Sequence, residues 1–148
     1  MRVLFFTHMP FSTEPFAERI EKPWGFEVLY TPKDLPRTGK ILAIKAGRRL
    51  SFQYHDAKEE TMSLVSGRAT IWLEDALGEI KKIPMELMKG YTVRVGQKHR
   101  LEAVEDSVVI EVSEPEKGNT YRISDDYERK TETEEMRTQE NRGWQAPA

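Results

Sequence analysis

Short apolar runs broken by turn residues recur along this chain from residue 2 to residue 113, and no other feature of the sequence constrains the fold as strongly. Candidate strands fall at 2–6, 26–30, 40–46, 50–55, 61–65, 68–74, 79–83, 91–95, 100–104 and 107–113. They are rich in Val, Ile, Leu, Phe, Tyr and Thr, whose branched or aromatic side chains suit a pleated, half-buried surface. The breaks "TPKDLPRTG", "AGR", "SG", "DALG", "MELMKG", "VGQK" and "ED" are mostly Gly- or Pro-bearing turn chemistry. Little helical periodicity lies between residues 40 and 113, so the pattern predicts an all-β sandwich or barrel and disfavours a parallel α/β sheet. GxGxxG and GxxxxGK are both absent, which leaves nucleotide binding through a glycine-rich phosphate loop unsupported.

A chain of 148 residues is one domain's worth and can bury a full core without disulfides. It has no cysteine, which removes thiolate metal sites, a cysteine nucleophile and a disulfide framework. Twenty-three basic residues against 25 acidic ones create no large field for nucleic acid or an anionic membrane. The apolar run at 3–6 is far shorter than the roughly 7 to 15 residues of a signal-peptide core or the about 20 of a membrane span, so the expectation is a cytoplasmic protein. The two ends differ from the middle. Residues 1–21 read as an arm with a helical turn at 15–20, residues 22–123 as the barrel, and 124–148 as a charged tail with a short helix capped by Ser124.

The chemistry concentrates in "GRRLSFQYHDAKEETMSLVSG" (47–67) and "VRVGQKHRLEA" (93–103). Side chains two apart on a strand share a face, so Gln53 and His55 point one way while Leu50, Phe52 and Tyr54 point the other. After a short turn Glu60 shares a face with Met62 and Leu64. A hairpin gathers Gln53, His55 and Glu60, and a closed barrel can bring His99 to them. Two imidazoles, a carboxylate and an amide oxygen form a mixed nitrogen and oxygen set suited to one divalent Mn, Fe, Co, Ni or Zn ion. Only three histidines occur in the chain, and the third, His8, has no partner motif. Leu50, Phe52 and Tyr54, facing away from the lumen, call for a cover, either the N-terminal arm or a second subunit, and the expectation is a homodimer formed by strand exchange or sheet packing.

These segments resemble the two signatures of the cupins. Gly47, His55, Glu60 and Gly67 fall at positions of G-x5-H-x-H-x3,4-E-x6-G, with Gln53 in place of the first histidine. Gly96 and His99 match the second signature, from which Met88, Arg94 and Ala103 depart. Within the cupins, "LSFQYH", "KPWGFEVL", "GQKHRL" and "RISDDYER" are similar to the C-terminal isomerase domain of type II phosphomannose isomerases, over residues 22–129. The resemblance implies a double-stranded β-helix, or jelly-roll barrel, with Gln53, His55, Glu60 and His99 as metal ligands. It further implies aldose–ketose isomerisation of a phosphorylated sugar, with Lys58 or Arg100 holding the phosphate. Asp56 and Ala57 replace histidines of that family, and Lys58 stands where it has an arginine, which keeps the charge but loses the planar fork. Two other readings of the same site are a metal-dependent dioxygenase and a non-catalytic sugar-binding module.

Overall fold

The structure, a computed structural model, describes residues 11–148; the candidate strand at 2–6 and His8 lie outside them. Eleven strands are present among the described residues: β1 (Glu18–Lys22), β2 (Gly25–Leu29), β3 (Thr38–Ile44), β4 (Phe52–His55), β5 (Glu60–Ser66), β6 (Ala69–Glu74), β7 (Ile80–Pro84), β8 (Gly90–Val93), β9 (His99–Ala103), β10 (Ser107–Ser113) and β11 (Thr120–Ser124). They form a six-stranded sheet in the order β1-β2-β3-β10-β5-β8 and a five-stranded sheet in the order β11-β4-β9-β6-β7. Every strand pair in the two sheets is antiparallel. The all-β jelly roll expected from the sequence is therefore the architecture found.

The inward residues of the two sheets enclose a lumen that changes character along its length. At one end Trp24, Leu42, Ile44, Met62, Leu64, Ala69, Ile71, Val93, Leu101, Ala103 and Val109 pack into a dry core. Burying one such large side chain contributes about 1.5–3 kcal/mol, so this layer holds the sheets together. One alternation step further, the same strands turn charged or polar residues inward: Lys40 on β3, Glu60 on β5, His99 on β9 and Glu111 on β10, all buried. The core thus forms the floor of a polar chamber. Gly25 joins β1 to β2 beside the core, at φ 150°, where an added Cβ would lie 1.9 Å from the Ala43 carbonyl oxygen.

Three local expectations differ from the structure. The arm does not turn helically at 15–20 but enters the sheet as β1, because Ile20 and Lys22 alternate inward while Arg19 and Glu21 face out. Leu50 does not share the outward face of Phe52 and Tyr54. Residues 49–51 lie before β4, outside its regular alternation, so Leu50 packs against the core and Ser51 is buried. Phe52 and Tyr54 find covers within the chain, Phe52 against Trp72 and Tyr54 stacked on Tyr121 at 5.0 Å. The helical content of the tail lies beyond the stretch after Ser124, in 3-10 turns at Met136–Thr138 and Glu140–Gly143. After Ser124 the Asp125 carboxylate instead accepts hydrogen bonds from the backbone and guanidinium of Arg129, which holds a turn. Among the described residues no helix is long and apolar enough to cross a membrane.

Candidate metal centre

His55 ends β4, Glu60 opens β5 and His99 opens β9, so adjoining strand ends deliver all three to the polar half of the lumen. One ligand atom from each lies within 4.8 Å of the others, and all three residues are buried. Glu60 Oε1 is 3.1 Å from His55 Nε2 and 3.0 Å from His99 Nε2, and the imidazole centroids are 4.9 Å apart.

The far side of each ring is fixed. His99 Nδ1 donates to the Gln97 carbonyl (2.9 Å), so in the neutral ring Nε2 carries the lone pair. That Nε2 is buried and has no hydrogen-bond partner. A lone pair set against a carboxylate oxygen is an arrangement that a cation between them relieves, and the donor set therefore fits a divalent ion. His55 Nδ1 meets the Thr120 hydroxyl at 2.9 Å, which can donate or accept and so permits the matching tautomer. Burial lowers the His55 pKa, favouring the neutral ring that binds metal. Burial alone would raise the Glu60 carboxyl, but the Lys58 ammonium beside it holds it well below the ordinary carboxylate range.

Around this trio runs a buried ionic network. Lys58 Nζ sits 3.5 Å from Glu60, 3.8 Å from Glu111 and 3.8 Å from Glu116. Burial, with Glu60 adding to it, pushes the Glu111 carboxyl up to about 8. Lys40 pairs with Glu116 and Glu27, and Arg142 reaches in from the tail to Glu116 (2.6 Å), Glu132 (3.0 Å) and Glu27 (3.6 Å). The chamber these residues line is small, about 70 Å³. Next to it lies an open cleft of about 940 Å³, and Lys22, Arg122, Arg129 and Arg142 line both. Arg122 donates to the Lys130 carbonyl (2.5 Å), yet its buried Nε has no partner.

The residues anticipated from the sequence thus divide. His55, Glu60 and His99 come together, and Lys58 stands beside them. Gln53 is opposite His99 in register and lines the chamber, with its amide oxygen accepting from the Ser51 hydroxyl. Arg100 borders the chamber, but its guanidinium donates to the carbonyls of Leu50 (2.7 Å) and Ser124 (3.2 Å) and lies 5.3 Å from the Trp72 ring. Glu111, Glu116, Glu132 and Arg142 were not anticipated. A signal existed only for Glu111, which shares strand parity with Val109 in "SVVIEVS".

No protein-family model matches this chain, and no curated protein matches it in sequence. Solved structures do match. Oxalate decarboxylase from Bacillus subtilis, described for its Mn(II) centres, superposes with a TM-score of 0.66 at 17% identity, over 80% of this chain and 34% of its own. Oxalate decarboxylase from Lactobacillus farciminis gives 0.63 at 20% identity, over 78% and 38%. KdgF from Halomonas sp. gives 0.55 at 18% identity, over 65% and 84%. This chain spans about a third of the length of the Bacillus enzyme. At such identities the shared property is the path of the backbone, and that path, two antiparallel sheets closing on a polar lumen, is the cupin fold.

Proposed function

We propose that the chain is a metal-dependent enzyme acting on a small, oxygen-rich anion, and that it is an aldose–ketose isomerase of sugar phosphates. The observation that carries the reading is the buried His55–Glu60–His99 trio with Lys58 at 3.5 Å, in a chamber adjoining a cation-lined cleft. A divalent ion held by the trio would polarise oxygens at C1 and C2 of the sugar. The chain's own groups supply the rest. Lys58 binds an anionic oxygen beside the ion, and Glu111, within 3.8 Å of Lys58, is the group placed to move a proton between the two carbons. The chamber has room for the reacting end, while the phosphate lies in the cleft against Arg122, whose Nε lacks a partner. Arg100 acts at one remove by holding the strand that carries His99 against Leu50 and Ser124.

Metal-loaded protein incubated with mannose 6-phosphate should form fructose 6-phosphate, and a flat progress curve at high enzyme concentration rules this chemistry out. The chamber volume favours one alternative, a substrate that fits wholly inside about 70 Å³. A two-carbon dicarboxylate such as oxalate meets that limit, and oxalate decarboxylases are among the matching structures. Release of formate and carbon dioxide from oxalate, with no turnover of the sugar phosphate, would select that reading.

A further inference from the structure

β11 is an edge strand of the five-stranded sheet, and its inner side pairs with β4. Thr120 stands opposite His55 in that register, yet its backbone N–H and carbonyl turn the other way and exchange hydrogen bonds with Glu132 in the tail, 2.9 Å each. Thr120 and His55 are therefore a non-hydrogen-bonded pair, the kind whose facing side chains come closest, and the Thr120 hydroxyl lies 2.9 Å from His55 Nδ1. The tail thus fixes the backbone that carries this hydroxyl. Arg137 spans the contact: its Nε donates to Glu132 Oε1 (2.9 Å) and its Nη2 to the Gly118 carbonyl (2.6 Å). Gly118 also donates its N–H to Glu134 (2.7 Å). Its φ is 65°, and an added Cβ would lie 2.2 Å from the carboxylate of Asp56, the residue after His55. The entry to β11 is seated against the end of β4 on one side and the tail on the other.

We propose that Arg137 is a positioning residue for the metal centre: it holds Thr120 in place and, through the Thr120 hydroxyl, orients the His55 ring. The inference rests on the metal-binding reading of the trio. Two acceptors on separate segments, a carboxylate oxygen and a backbone carbonyl, are met by one planar guanidinium, which a lysine ammonium cannot reproduce. A second route from Arg137 to the trio is electrostatic, since its Nε lies 3.9 Å from Glu116, which Lys58 approaches to 3.8 Å on the way to Glu60. Arg137→Lys separates the two routes, because it keeps the charge and loses the fork. Thr120→Val blocks the first route alone, because it removes the hydroxyl and leaves the ionic network in place. A tie that works through Thr120 has no further effect once that hydroxyl is gone, whereas a general loosening of the fold adds to it.

Isothermal titration of the metal-free full chain with zinc tests this in the native chain, Arg137→Lys, Thr120→Val and the double variant. Arg137→Lys should weaken zinc binding about 10-fold with far-UV circular dichroism unchanged, and the double variant should bind no more weakly than Thr120→Val alone. Unchanged zinc affinity in Arg137→Lys overturns the proposal. So do losses that multiply in the double variant, which would place the action of Arg137 elsewhere. A second readout needs no metal: the nitrogen-15 signals of the His55 ring in the metal-free chain should shift in Arg137→Lys in the same direction as in Thr120→Val. Should the native chain bind no zinc, the metal-binding reading falls, and these signals alone judge whether Arg137 holds the ring; a His55 spectrum identical to native in Arg137→Lys shows that it does not.

Discussion

At His99 a backbone carbonyl sets what the side chain can do. The Gln97 carbonyl takes the Nδ1 proton, which leaves the Nε2 lone pair turned toward Glu60. Removing the imidazole, in His99→Ala or His55→Ala, should abolish stoichiometric metal binding, as read by elemental analysis of the purified variant. Thr120→Val acts one bond further out by freeing the His55 ring, and isothermal titration with metal should find affinity lowered about 10- to 100-fold. His55 and Glu60 were legible because strand alternation and a short turn place them together, whereas His99 joins them only through the pairing of β9 with β4. Gln53 was read correctly as facing the lumen, but sequence gave no hint that Ser51 donates to its oxygen. The rest of the ionic network was illegible because Glu111 and Glu116 beside Lys58, Glu27 beside Lys40 and Glu132 beside Arg142 lie at spacings that follow no motif.

At the scale of elements, strand periodicity described the middle of the chain well and its ends poorly. "ERIEK" hides β1 because one of its two buried inward residues is a lysine, whose charge is met by Glu27 on the neighbouring strand. The sequence reads 124–148 as a charged tail with a short helix, yet Glu132 bridges to Thr120 and Arg142 enters the ionic network. Asn141 and Arg142 both have positive φ, 45° and 53°, so the tail accepts backbone strain to place that guanidinium. Arg142→Ala should therefore cost about 3–5 kcal/mol in denaturant unfolding, since it leaves Glu27, Glu116 and Glu132 short of a buried partner. At the β1–β2 turn, Gly25→Ala should also destabilise the fold, by at least about 1 kcal/mol, because the added methyl meets the Ala43 carbonyl.

The whole molecule combines an apolar floor and a charged chamber within one lumen. The chamber ties stability to pH. Burial raises the Glu132 carboxyl, but Arg142, Lys22 and Lys40 outweigh it and hold the group at about 2, against 4.5 when unfolded. Its stabilisation is therefore complete above about pH 4.5 and is lost as pH falls toward 2. Chemical denaturation between pH 5 and 2 should show a decline to which Glu132 contributes up to about 3 kcal/mol, and Glu132→Gln should flatten that part of the curve. Burial lowers Lys22 to about 8, so stability should rise between pH 8 and 10.5 as the unfolded chain keeps the proton longer. The central claim concerns the centre of the chamber. Elemental analysis of the native chain beside His99→Ala tests it most directly: the prediction is about one divalent transition-metal ion per native chain and none in the variant, and equal metal content in the two would contradict it.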